Sequence, residues 1–161
     1  GSWESGFVGA TIVDEPSYLY GEDGNDVLVA VQGTVVASGG GGANTFAFWP
    51  TQDSHIATLY AKDFLTGSDQ IDLSQILDQS LSAATVREYL DFDLAHAQTE
   101  ISADGSSVKT IDLSNLTAPS DVLHLQVGSN TPVVASDFVM TQTLTPDWVT
   151  QLEALVYQSY G

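Results

Sequence analysis

Apolar residues keep a nine-residue beat near the N-terminus, at Leu19, Leu28, Ala37 and Phe46. Glycine keeps the same beat at Gly24, Gly33 and Gly42, and Gly21 and Gly39 lie two periods apart. Each period joins a polar, turn-forming half to an apolar half that suits a buried strand, as in GEDGNDVLV (21–29). The copies are unequal. One step of nine from Asp26 lands on Val35, and two steps land on Asn44, so GEDGNDVLV and GGGGANTFA frame the worn copy AVQGTVVAS.

Beyond the beat, the pattern changes. SAATVREYLDF (82–92) predicts a short helix with Ser82 as N-cap and Val86, Tyr89 and Leu90 on its apolar face. TEISADGSSVKTIDLSNL predicts a hairpin turning at Asp104-Gly105. DVLHLQV (121–127) and PVVASDFVM (132–140) predict further strands. In the tail, Thr145-Pro146 forms an Ncap-N1 pair, and Trp148, Leu152, Leu155 and Val156 line one face of an amphipathic helix.

Charge then narrows the chemistry. The 161 residues suit one domain with a small appended piece, and 43% of them are hydrophobic. Twenty-one acids face only Lys62, Arg87 and Lys109, for a net charge of −18. Nucleic acid and anionic membrane surfaces are therefore poor partners. Fifteen of the acids are Asp, a residue that suits turns and short-armed ligation of hard cations such as calcium. An acidic surface without metal would have the same charge. No cysteine is present, which excludes disulfides, thiolate metal sites and a cysteine nucleophile. No run reaches the roughly 18 apolar residues that a membrane helix needs.

With these residues in view, the nonapeptide resembles the G-G-x-G-x-D-x-U-x unit of the RTX (repeats-in-toxin) family, whose parallel β-roll binds Ca²⁺. The resemblance implies a mainly all-β fold, with strands falling alternately on two sheets and turns on one edge recurring every eighteen residues. It implies side-chain ligands at Asp26 and Asn44, turn carbonyls from Gly21, Asp23, Gly24, Gly39, Gly41 and Gly42, and Leu28 and Phe46 pointing inward. Glu22, Val35 and Asn44 depart from the motif, so one or two ions are expected. The segment KDFLTGSDQIDLSQIL (62–77) looks like the closing segment of such rolls. There Asp63, Asp69 and Asp72 bring three carboxylates within ten residues; calcium ligation and plain turn or capping duty are both open.

The order of helix, Asp-Gly hairpin and Asp-Phe strand resembles the C-terminal region of giant adhesins exported by type I secretion. That resemblance implies a truncated β-roll over 3–60, a β-rich, sandwich-like cap over 61–140, and an amphipathic helix with an export signal over 141–161. It further implies a secreted, extracellular or cell-surface bacterial protein that is monomeric, is not inserted in a membrane, and is read by an ABC-transporter channel complex. No His-Glu-x-x-His or Gly-x-Ser-x-Gly motif is present, and His55, His96 and His124 are scattered, so no enzyme is expected. The other class left open is a calcium-dependent module gripping glycan or peptide through surface aromatics such as Trp49, Tyr60 and Trp148.

Overall fold

The computed structural model describes residues 7–11, 17–21, 24–30, 33–49, 56–117 and 121–140. The chain coils through β1 (Phe7–Thr11), β2 (Ser17–Tyr20), β3 (Val27–Ala30), β4 (Gly33–Ser38), β5 (Thr45–Phe48), β6 (Ile56–Ala61) and β7 (Gln70–Asp72). Successive strands fall on opposite sheets. One sheet has the order β1-β3-β5-β7 and is completed by β11 (Phe138–Val139). The other runs β2-β4-β6 and continues into β10 (Val122–Gly128), β9 (Ser107–Asp112) and β8 (Gln98–Ile101). The coiled strands pair in parallel, so this is a mainly all-β fold built as a parallel β-roll.

The nine-residue beat becomes a register. Leu28 pairs with Phe46, and Leu19 with Ala37, each eighteen residues on. Two strands and two turns make one circuit, so the apolar beat returns to the same face each time. Leu28, Ala37 and Phe46 are fully buried in the core between the sheets, and Leu19 packs against it. Alternation does the rest: Ala57, Leu59 and Ala61 join that core, while Tyr60 leaves it for a smaller cluster with Val36 and Val108. Tyr60, expected as a surface aromatic, is therefore buried at 4% exposure, because its register partner Val36 lies beside it.

After β7 the circuits lengthen. Ser82 caps α1 (Ala83–Ala95), its hydroxyl accepting the Thr85 N–H at 3.1 Å. Val86 and Leu90 are buried; Tyr89, expected on the same face, is largely exposed. The hairpin β8–β9 turns at Asp104-Gly105 as its sequence predicts, with Gly105 at φ +86°. β10 then pairs antiparallel with β9 and parallel with β6, so the hairpin extends the roll's own sheet. The strand expected over 132–140 shrinks to Phe138–Val139, preceded by a 3-10 turn at Ala135–Asp137. The expected tail helix, its Trp148 face and the 141–145 threonines lie outside the described residues.

What joins one circuit to the next is a row of buried polar side chains, each just ahead of a strand in the β11-containing sheet. Asp26, Asn44, Asp69 and Asp137 precede β3, β5, β7 and β11, and none is more than 5% exposed. Asn44 Oδ1 accepts the Asp26 N–H at 3.0 Å, and Asp69 Oδ1 accepts the Asn44 N–H at 2.8 Å. Asp69 Oδ2 also holds the Leu65 N–H at 2.8 Å. Asp137 takes the Gly67 N–H and the Thr66 hydroxyl, at 3.0 and 2.6 Å. Asn44, Asp69 and Asp137 thus satisfy backbone donors in the preceding circuit that have no strand partner. The backbone returns the link, with Thr45 N–H bonded to the Asp26 carbonyl and Gln70 N–H to that of Asn44.

Two expectations follow for stability, both read by denaturant unfolding. Asp69→Ala should cost about 2–4 kcal/mol, since it strands the buried Asn44 and Leu65 donors. Gly42→Ala should cost about 1–3 kcal/mol, because φ is +82° and its new methyl would strike the Gly24 carbonyl. Gly105→Ala also adopts a positive φ but meets nothing within 4 Å, so it should cost less. Equal costs for the two glycines would mean that turn stacking contributes nothing.

Candidate metal centre

The two best copies of the repeat stack directly, and glycine is what permits it. A side chain at Gly21 would collide with the Gly39 carbonyl and lie 2.5 Å from Asp26 Oδ2. A side chain at Gly42 would collide with the Gly24 carbonyl. Carbonyl and carboxylate oxygens of successive turns are therefore drawn together along one edge of the roll, the donor type that hard cations take.

The next position along this edge differs by one atom type. Where Asp26 Oδ2 lies under Gly21, Asn44 Nδ2 lies under Gly39, again 2.5 Å from a would-be Cβ. An amide nitrogen donates and cannot ligate a cation. It points at the Gly40, Gly41 and Gly42 carbonyls, at 3.2, 3.4 and 3.4 Å, long shared contacts rather than three full hydrogen bonds. In this turn the chain's own amide occupies the electropositive role. The residues fit a calcium ion beside Asp26 and do not fit a second one centred on the Asn44 side chain.

The remaining candidates are dispersed. Asp63 stands in the turn after β6 and grips the Gly39 and Gly40 N–H groups, both at 2.8 Å. Asp69 uses both oxygens on backbone donors, as above. Asp72 lies at the other end of β7, where Oδ1 accepts the Ser74 N–H at 2.8 Å and starts the turn. The three carboxylates, close in sequence, are thus parted by a turn and a strand and do not converge. No group of three or more His, Cys, Asp or Glu side chains is placed to hold a metal among the described residues. Asp23 lies outside them.

Two members of the edge escaped the sequence reading. Asn25 Oδ1 accepts the Ala43 N–H at 2.9 Å, bridging the two turns eighteen residues apart. Asp137 completes the buried row, and its signal is only an Asp directly before an apolar strand, the arrangement of Asp26-Val27.

Residues 10–140 match the family described as Peptidase M10 serralysin C terminal. No curated protein matches the chain. That family is the RTX-type calcium-binding β-roll, a non-catalytic region found in secreted proteins. The matched span runs from within β1 past β11 and so takes in the stacked turns, both sheets and α1. The chain belongs to the serralysin C-terminal family.

Proposed function

We propose that the chain is the calcium-binding C-terminal RTX domain of a secreted bacterial adhesin, folding on calcium outside the cell and carrying a type I secretion signal. The observation that carries the reading is the convergence of Asp26 and the Gly39 carbonyl under Gly21, in a chain of net charge −18. Calcium there would be held by Asp26 with carbonyls of the stacked turns 21–26 and 39–44, and Asp23 is the further acid in reach by sequence. The ion supplies positive charge that the three basic residues of the chain do not. Asp63 and Asp69 serve the same edge as backbone caps that order the turns, and Asp72 caps the turn at the other end of β7.

The direction of export follows from linkage. Calcium sites of extracellular modules have affinities of about 10⁻⁴ to 10⁻³ M, far above cytosolic calcium. An acidic chain repels itself when compact, so before export it stays loose enough to thread an ABC-transporter channel complex. Outside, ligand binding to the folded form alone pulls folding forward and opposes return. The export signal is assigned to 141–161. The domain's part is binding and folding, with no catalytic role; among the described residues no helix is long and apolar enough to cross a membrane.

Calcium titration from chelator, followed by circular dichroism and melting, tests this. Saturation at about 100 times the dissociation constant should add roughly 2.7 kcal/mol, or about 5–10 °C in Tm. Asp26→Ala should abolish most of that gain. Asn44→Asp should lower Tm in chelator, by losing the amide's donors, and enlarge the calcium response. A flat titration sinks the reading and leaves the turns as structure only. For export, deleting residues 145–161 should stop secretion of a fused passenger; undiminished secretion would instead favour a calcium-dependent ligand-binding module with no part in export.

A further inference from the structure

Away from the calcium edge, the C-terminal end of α1 borders a cavity of about 210 Å³, lined by Phe92, Asp93, His96, Asp112 and Asn115. Its wall contains an electrostatic oddity. Asp93 is 6% exposed; one carboxylate oxygen accepts the Asn115 amide at 2.9 Å, and Oδ2 has no partner. Three things oppose a charge there. The group is buried, it sits in the last turn of a helix whose dipole is negative at that end, and that turn carries no basic residue. Burial pushes Asp93 up to about 6, the Asn115 hydrogen bond pulls the other way, and nearby Asp112 adds to the rise. Burial acts on Asp112 in the same sense but is outweighed by Ser114, which holds it below the ordinary carboxylate range.

The rest of the lining is equally one-sided. Phe92 and His96 stack with centroids 3.9 Å apart and planes 20° from parallel, and both are exposed. His96 Nδ1 lies 2.8 Å from the Phe92 carbonyl, which fixes the ring. No Lys or Arg lines the cavity, and Arg87 is engaged one turn earlier with Asp91 at 3.1 Å. An aromatic pair, a buried carboxylate, a second carboxylate and an amide oxygen all favour positive charge. A metal ion is the poorer match, since no three ligating side chains are placed around one.

We propose that this cavity is a receptor for a guanidinium group, which stacks on the Phe92–His96 pair and donates to the Asp93 carboxylate. Guanidinium fits better than ammonium because it is planar, weakly hydrated and able to bond edge-on while stacked. The Asp93 oxygen that Asn115 holds keeps a second lone pair for the ligand's N–H, whereas Oδ2 is enclosed. The same group can arrive as a free guanidino metabolite or as an arginine side chain of a protein.

The test uses the full chain in calcium, with methylguanidinium as probe and NMR shifts of His96 and the Asn115 side-chain amide as readout. Saturable binding with a dissociation constant on the order of 1–10 mM is expected. It should weaken at least tenfold in Asp93→Asn and several-fold in Phe92→Ala. Equal binding of neutral methylurea, equal binding by Asp93→Asn, or no shift at 50 mM methylguanidinium (a deliberate excess, about ten times the expected constant) each overturns it. A second readout separates binding from folding. Because the native pKa is raised, Asp93 favours the fold fully below its ordinary value, and that contribution is lost as pH rises through about 6. The charges facing it are Asp112 on β9, paired at 3.9 Å with His124 of β10, and His96 on α1 itself. Asp93→Asn should therefore melt a few degrees higher than the parent at pH 8 and equally at pH 4. Methylguanidinium at pH 8 should raise the parent's Tm and leave the variant's unchanged; raising both alike counts against the site. Free arginine binding as tightly as N-acetyl-arginine amide points to the metabolite, and tighter binding of the blocked form to a protein side chain; both outcomes support the receptor.

Discussion

The structure depends on one repeated link: a buried side chain just ahead of one strand satisfies the backbone donors of the circuit before it. A parallel roll needs such a link because every strand ends in a turn whose N–H groups face another turn, where no ladder can continue. Asn44 on Asp26, Asp69 on Asn44, and Asp137 on Gly67 carry it along the edge. The side chains are short because the turns lie close, and the turns lie close because glycine leaves no Cβ between them. Once that spacing is set, the registers of both sheets follow, and with them the burial of Leu28, Phe46 and Ile71 as one row.

The same link explains the use of aspartate. A buried carboxylate is unfavourable unless its oxygens are occupied, and here Asp69 and Asp137 are occupied by backbone donors. These acids are structural in the absence of any ion. Asp26 lies where a side chain on Gly21 would meet both its carboxylate and the Gly39 carbonyl, so oxygens of two turns border one place. In the proposed reading a cation joins them there. One residue type thus does two jobs on one edge, and only the neighbours decide which.

Those neighbours also set how much could be read from sequence. The first circuit was legible because it is an unbroken eighteen residues, so Leu28/Phe46 and Asp26/Asn44 could be paired by counting. The links that follow span 25 residues, from Asn44 to Asp69, and 70, from Gly67 to Asp137. Insertions of that size erase the period, and Asp137 was seen only as part of an Asp-Phe strand. Asp63, Asp69 and Asp72 show the opposite case. Closeness in sequence left a shared ion and turn or capping duty both open; β7 then sets Asp69 and Asp72 at its two ends, each on backbone donors. Tyr60 was read as a surface aromatic near acids; burial came from Val36 and Val108, on other strands. The cavity under α1 had no sequence signal, since Asp93, Asp112 and Asn115 come together only when α1 packs against the end of β9.

Asn44 gives the roll a built-in asymmetry. Its amide supplies to the Gly40–Gly42 carbonyls the positive end that a metal would otherwise supply, and its own oxygen caps Asp26. From this turn onward the edge is held by the chain's own hydrogen bonds, with the carboxylates of Asp69 and Asp137 accepting backbone N–H groups as far as β11. On the N-terminal side lies the turn containing Asp26, where the proposed calcium ion would bind. In the proposed reading, calcium binding at that turn and closure of the buried links along the rest of the edge are coupled, so both together offset the entropic cost of ordering the turns. The Asn44 turn is then where the edge passes from a link that the proposed ion would make to links made by the chain's own hydrogen bonds.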